Sequence, residues 1–471
     1  MKEVQELSSS VPAHNKHPSG LNPFPWLLAT VMVGAIISLL SLGDLRHHVL
    51  PYVIIASSAT LILYLGVYLF KKHQVCFRAR DLFLVALLFR AVALPLGPSL
   101  SDDAWRYLWD GRLLLNGVNP YHHVPADSAL SDFHDDLFAL QGYPETNTIY
   151  PPVAQLIFAG SIALAQPFGE DPLVGYYIWK LFLIAAEMLA LWLLLLLLKR
   201  MRLPLYGAAL YAWHPLVVIE IAGHGHTDAL WVLALGLALF GYTMGRAGGG
   251  VAGLGFGVGV RLFPLITLPV WLRFLDRRRA IVGGAIALPL VLTLALFLDP
   301  EAFNRYATVA TRFTNFYEFN GGFYHGVKWL LDELMVKPSN RIAGGITTGL
   351  MLLGVVAITL WPIKRRTLSV LLSRVLGIVT LQIALSAKVH IWYFVVPLFL
   401  LALRDDRRLS LAWYWVALIA PLTYLYYATE PFQERALALW LEWGGMAFLI
   451  LLGFLITWIS RRKPKAKADF V

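Results

Sequence analysis

The sequence predicts an all-α protein that crosses a membrane many times, and three observations lead there. Of its 471 residues, 58% are hydrophobic and only 14% are charged, with a mean hydropathy of +0.63. A soluble chain of this length needs far more charge to cover its surface. The apolar residues come in blocks long enough to span a bilayer, which takes about 20 residues each. Lys and Arg fall between those blocks, as at Lys71 and Lys72, Lys199 and Arg200, and Lys364 and Arg365. The positive-inside rule distributes basic residues in this way, so the formal charge of +10 reads as topology and no nucleic-acid partner is expected. The single cysteine, Cys76, excludes an intrachain disulfide.

In chain order, the polar stretch 1–24 lacks the short apolar core and cleavage site of a signal peptide and is expected to be a cytoplasmic tail. Spans are predicted at 25–42, 51–70 and 81–97, which together form an N-terminal transmembrane region, 25–97. Residue 98 then emerges outside, and 98–151 forms the first extracytoplasmic loop. That loop opens with SDDAWRYLWDGRLLLNGVNP (101–120), a helix capped by Ser101, with Asp102 and Asp103 in its first turn. Gly117, Asn119 and Pro120 end it.

Segment 152–166 is too short for a full crossing and is expected to be a re-entrant or interfacial helix under the loop. Spans at 174–198 and 204–222 follow, which keeps KRMR (199–202) inside and GHGHTD (223–228) outside. The run 250–275 is predicted to be a broken pair of half-helices bent at Arg261 and Pro264. Further spans are expected at 280–298, 342–362, 367–386, 391–403, 409–427 and 436–459, with an outer loop at 299–341. The transmembrane core is thus 152–460, followed by a basic cytoplasmic tail, 461–471. The total is about 12 full crossings and two partial ones, about 12–14 transmembrane or re-entrant helices. Polar clusters at 101–121, 223–228, 299–341 and 387–393 all fall on the outer face.

Asp103, Arg106 and Asp110 follow i, i+3, i+7 spacing and share a helix face. Helix capping explains Asp102 and Asp103 but not Asp110. Trp105, Trp109 and Arg112 form an adjacent stripe suited to the lipid interface. A carboxylate beside an arginine suits a general base that takes a proton from a hydroxyl, with the arginine orienting it or neutralising an anionic ligand.

The stretch WHPLVVIEIAGHGHTDAL (213–230) places Glu220, His224, His226 and Asp228 at the outer end of one span and the start of the next. The H-x-H-x-D spacing has the look of a metal site, but no second ligand-rich cluster completes it. The histidines therefore read as hydrogen-bonding groups of a polar vestibule, with no metal expected. Asp228 either caps the next helix or serves the site. Glu220, an ionisable group in a span, is a functional candidate by default.

Lys388, His390, Trp392 and Tyr393 open a later span. A snorkelling lysine with an aromatic belt is the plain reading, yet a lysine on the outer side runs against the positive-inside rule, and with Arg261 it suits a lipid phosphate. In the outer loop, Glu318, Asn320 and the surrounding aromatics suit a sugar surface or interface anchoring equally.

Taken in order, DDAWRYLWDGRLLLNGVNPY, YPP (150–152), HPLVVIE with GHTDAL, RLFPLITLP and HIWYFVVP resemble the polyprenyl-phosphate-dependent glycosyltransferases of the GT-C fold, particularly bacterial mannosyltransferase-like members. The resemblance spans about 98–403. It implies inverting transfer of a hexose, commonly mannose, from a polyprenyl-phosphate sugar to a glycan or lipid hydroxyl on the outer face of the bacterial inner membrane. It places the base at Asp102 or Asp103 without choosing between them and a second acidic position at Asp228. Arg261 stands where related sequences often carry Lys. Lys388 and His390 fall in the donor-phosphate region, and Tyr150 and Tyr393 within the shared motifs. No cofactor is implied; the partners are the lipid-phosphate donor, the acceptor and membrane lipids. Two departures stand out: three spans precede the first outer loop where many members have one, and His226 stands where Asn is frequent. A transporter or flippase of a lipid-linked sugar is the rival reading. It expects an internal repeat and polar groups at the membrane midplane, neither of which the sequence shows. A non-catalytic scaffold has no need of Asp102, Asp103 and Asp228 together.

Overall fold

The computed structural model describes residues 23–169, 171–275, 299–315, 317–404 and 407–462. Most of the tail read at 1–24, the basic cluster at 277–279, the span read at 280–298 and all but the start of the tail at 461–471 lie outside the described residues.

The chain opens with α1 (Phe24–Ser41), α2 (Val49–Lys72) and α3 (Ala79–Ala93). The segment read as the first extracytoplasmic loop carries α4 (Asp103–Leu115) and returns through α5 (Pro152–Ala165). Then come α6 (Pro172–Met201), α7 (Tyr206–Ala212), a short π-helical turn (Ile219–Gly223), α8 (Asp228–Thr243), α9 (Ala247–Val260) and α10 (Leu268–Phe274). The segment that follows holds α11 (Pro300–Asn315) and α12 (Gly322–Glu333). The C-terminal part is α13 (Ser339–Leu360), α14 (Leu368–Leu385), α15 (Val395–Ala402), α16 (Arg407–Ile419) and α17 (Gly445–Arg462). Among the described residues there is no β-strand.

Among the described residues 7 helical segments are long and apolar enough to cross a membrane, with shorter apolar helices at Pro152–Phe168, Asp228–Thr243, Gly249–Val260, Phe263–Phe274 and Ile391–Ala402. The sequence count of about 12 full crossings treats several of these shorter pieces as spans. Proline divides them: Pro215 starts a new helical segment after His214, and Pro264 sits in the turn that follows Arg261. Pro has no N–H to donate and blocks the preceding helical turn, so each run breaks. The half-helices at 250–275 and the short helix at 152–166 appear where the sequence puts them.

A buried ion pair ties the first half together. Arg90 of α3 donates to Glu187 of α6 through Nε at 2.8 Å and Nη2 at 2.9 Å, and to the Ala212 carbonyl at 2.5 Å. Both side chains are fully buried. One turn of α6 then grips the segment that leads into α8. Tyr176 donates to the Gly223 carbonyl at 2.5 Å and Trp179 to the Gly225 carbonyl at 2.8 Å. The Lys180 ammonium donates to the carbonyls of Leu94, Leu96 and Gly223. Gly225 sits at φ +80°, and a Cβ there would also meet Trp179 and Lys180 at 3.3 Å, so the turn requires glycine.

Candidate active site

The helix α4 starts at Asp103 because the Ser101 hydroxyl accepts the Asp103 N–H at 3.2 Å, with Asp102 in the cap position. It lies close against α5: a Cβ on Gly111 would fall 2.6 Å from the Phe158 backbone, so the crossing depends on glycine. The stripe of Trp105 and Trp109 is buried, not lipid-facing as the sequence suggests, because α5, α6 and the outer loop cover it. Trp105 packs on Tyr176 and Trp109 on Phe138. Arg112, of the same stripe, turns to Asp135 at 2.5 Å.

Above α4 opens a chamber of about 220 Å³. Asp102, Asp103, Arg106, Tyr150, Arg261, Lys388, His390 and Tyr393 line it. These eight sequence candidates come from four stretches far apart in the chain. Tyr143, Glu318, Trp392 and Tyr427 complete much of the wall.

The two adjacent carboxylates have different surroundings. Asp102 accepts from Arg46 Nη2 at 2.8 Å, and Arg46, in the turn between α1 and α2, also donates to the Ser99 carbonyl at 2.8 Å. Among the described residues Asp103 makes no ion pair. Its Oδ2 accepts from the Tyr107 hydroxyl at 3.4 Å, and the Tyr150 hydroxyl donates in turn to Tyr107 at 3.5 Å. Among the described residues, Asp103 is thus a chamber-lining carboxylate whose side chain is partnered by the Tyr107 phenol.

Asp110 does not line the chamber. It is buried beneath it, accepting from Arg106 Nε at 2.8 Å and from Gln155 Nε2 at 3.2 Å. Arg106 also donates to the Thr146 carbonyl at 2.8 Å. The shared face of Asp103, Arg106 and Asp110 therefore splits, with one carboxylate exposed to the chamber and the other fixing the arginine between them.

Asp228 is fully buried and paired with Arg261, whose guanidinium lies 4.7 Å from the centre of the Tyr393 ring. Asp228 reaches the chamber only through that arginine. Glu220, His224 and His226 are also fully buried and lie behind the chamber wall. The sequence places them in a polar vestibule, but the covering aromatics exclude it: Tyr424 donates to both Glu220 oxygens at 3.1 and 3.2 Å, and His226 stacks on Trp392 with ring centres 3.6 Å apart. Trp392 stacks in turn on His390 at 4.2 Å. These two contacts connect the buried cluster to the chamber.

Asn320 is buried as well, so it offers no sugar surface. Its Nδ2 donates to Glu442 at 3.0 Å, and its carbonyl accepts from Trp443 Nε1 at 3.0 Å. The neighbouring Phe319 exchanges backbone hydrogen bonds with the strand-like stretch around Lys388, at 3.1 Å to the Ala387 carbonyl and 2.7 Å from the Val389 N–H. Asn320 thereby fixes the backbone on which Lys388 stands. Burial pushes the Lys388 ammonium down to about 8, opposed by the nearby Asp103 carboxylate.

The sequence reading missed Arg46, Tyr107 and Tyr143. Arg46 carried a signal, since a basic residue in a short outer turn is an exception to the positive-inside rule. The tyrosines carried none, because aromatics are common throughout the chain.

No curated protein and no solved structure matches the chain. The family model described as alpha-(1->6)-mannopyranosyltransferase, N-terminal domain, matches residues 27–275, just over half of the sequence. The chain belongs to that mannosyltransferase family and is an all-α membrane protein of GT-C type.

Proposed function

We propose that this mannosyltransferase moves a hexose, mannose by its family, from a polyprenyl-phosphate sugar to a glycan or lipid hydroxyl, with inversion at C1 and Asp103 as general base. The observation that carries the reading is the contrast between the neighbouring aspartates: Asp102 is engaged by Arg46, while among the described residues the Asp103 carboxylate meets only the Tyr107 hydroxyl at the chamber wall. A base needs a carboxylate that can accept the acceptor's proton within hydrogen-bond reach. Asp103 is the more available of the two.

In the proposed step the acceptor oxygen forms a bond to C1 as the bond from C1 to the phosphate oxygen breaks. The acceptor proton passes to Asp103, and the electron pair leaves with the polyprenyl phosphate. Lys388, facing Asp103 across the chamber, bears the charge that suits the departing phosphate. Arg261, held by Asp228 and set against Tyr393, contributes a second cation to the same wall. Arg106, fixed by Asp110 and Thr146, orients the acceptor side. The stacked pair of His390 and Trp392 forms a further part of the chamber wall beside Lys388. The transfer as proposed uses no cofactor and takes place on the extracytoplasmic face of a bacterial inner membrane, in the layout of loop 98–151, core 152–460 and cytoplasmic tails.

The test is the purified chain reconstituted in vesicles with a set of polyprenyl-phosphate sugars and candidate acceptors, with consumption of each donor and the anomeric configuration of the product measured. Consumption of polyprenyl-phosphate mannose with inversion is expected. Movement of the lipid-linked sugar across the bilayer without any transfer would favour the flippase reading instead.

A further inference from the structure

Behind the chamber wall, three side chains from one short stretch converge on a point. Glu220 stands in the π-helical turn, and His224 and His226 follow in the turn that leads to α8. All three are fully buried. Glu220 Oε2 lies 3.4 Å from His224 Nδ1 and 3.2 Å from His226 Nε2, and one ligand-type atom from each residue falls within 4.8 Å of the others. Around a tetrahedral metal with bonds of about 2.0–2.1 Å, ligand atoms stand about 3.3–3.4 Å apart. The two separations from Glu220 Oε2 lie close to that edge, and the distance between the histidine ligand atoms is bounded at 4.8 Å.

Hydrogen bonding leaves the cluster incomplete. His226 Nε2, although 3.2 Å from the carboxylate, is out of line for a hydrogen bond to it, and neither ring nitrogen of His226 has a hydrogen-bond partner among the described residues. His224 Nε2 is likewise without one. Buried polar atoms are nearly always satisfied; His224 Nδ1 is hydrogen-bonded to Glu220 Oε2 at 3.4 Å, so the unpaired Nε2 of His226, facing that same carboxylate, is the nitrogen that marks a position for something that takes its lone pair. The carboxylate is oriented from behind by the Tyr424 hydroxyl at 3.1 and 3.2 Å, the kind of outer contact that fixes a metal-ligating carboxylate.

We propose that Glu220, His224 and His226 form a structural site for one first-row divalent metal ion of zinc's type, separate from the transfer chamber. Two imidazoles and one carboxylate suit zinc and its neighbours, whereas calcium and magnesium favour all-oxygen shells. The ion stiffens the stretch between the π-helical turn and Asp228. Through the stack of His226, Trp392 and His390 it also steadies one wall of the chamber. The sequence argument against a metal was the lack of further ligands beside H-x-H; Glu220, four residues before His224 and so on the same helical side, supplies the missing one.

The test uses the full chain, purified in detergent on a tag without histidine. Elemental analysis of the isolated protein is expected to find about one zinc-type ion per chain. After chelation, Co²⁺ is titrated in and its visible d–d absorption recorded, with Zn²⁺ added to displace it. Wild type and the surface variant His47→Ala are expected to give the same intense bands. His226→Asn and Glu220→Gln are expected to weaken Co²⁺ binding about ten-fold or more. The absence of visible bands from the wild-type protein at saturating Co²⁺, or unchanged affinity in both variants, overturns the proposal. Because the wild-type titration alone can refute it, a variant that fails to fold leaves the test intact. The proposal is independent of the donor assignment, since metal content and absorption are read without sugar transfer.

Discussion

The guanidinium of Arg46 and the carboxylate of Asp102 meet at 2.8 Å, joining the turn between α1 and α2 to the residue that caps the chamber helix. The turn between α1 and α2 thus touches a residue that lines the chamber. The pairing also divides two neighbouring acids into one that is engaged and one that is available.

Asp103→Asn is therefore expected to lower kcat by about 100- to 10,000-fold, the range general-base removal usually gives, with expression and detergent stability unchanged. Asp102→Asn is expected to cost less. Vesicle transfer assays on both variants check this, and full activity in Asp103→Asn would sink the base assignment.

Removing the other partner gives a separate readout. Arg46→Ala should reduce turnover while shifting stability by less than about 1 kcal/mol, because the pair is partly exposed and such pairs contribute little to folding. Activity assays alongside thermal unfolding in detergent separate the two effects; a large drop in stability with normal turnover would contradict it.

The Lys388 charge predicts a pH dependence. Its turn lies between α14 and the next helical segment, and burial holds the ammonium at about 8, below the ordinary lysine value of about 10.4. The charged form is present below that value and disappears as pH rises through it. Donor KM is therefore expected to rise above about pH 8, and Lys388→Arg, which stays charged, should remove that limb. Initial rates from pH 6.5 to 9.5 at several donor concentrations test this.

The buried pair of Arg90 and Glu187 predicts a stability effect. Glu187→Gln leaves a buried guanidinium without its counter-charge and should destabilise by about 3–5 kcal/mol. The double change Arg90→Met with Glu187→Leu should recover much of that loss. Thermal unfolding of the two variants in one detergent decides it.

The crossing of α4 and α5 predicts a further one. Gly111→Ala places a methyl group 2.6 Å from the Phe158 backbone, and backbone cannot give way as a side chain can. A loss of about 1–3 kcal/mol is expected, together with lower activity as Arg106 and Asp110 shift.

Much of this architecture was legible in the sequence because hydropathy and charge are local signals. The break at Arg261 and Pro264 and the short helix after Tyr150 follow from composition alone, as does the start of α4 at the two aspartates. The fates of Asp110 and Asn320 were not legible. Each carries the residue type of a ligand-binding group, but each is buried by partners distant in the chain, Gln155 for one and Glu442 for the other. The tryptophans of α4 misled for a related reason: helix periodicity shows which residues share a face, not whether protein or lipid covers that face. Arg46 and Asp102, 56 residues apart, meet only in the folded chain.

The chamber draws on both halves of the sequence in a way that bears on how such a protein diversifies. The segment shared with the family, 27–275, contributes Asp102, Asp103, Arg106, Tyr150 and Arg261, while Glu318, Lys388, His390 and Tyr427 come from beyond it. On the proposed mechanism, the proton-accepting aspartates thus lie in the part that carries the family signature, and Lys388 lies in the part that does not. Substitutions in the later part can retune which lipid or sugar fits without disturbing the aspartates. A chimera that exchanges residues after 275 between two relatives is a direct route to altered specificity.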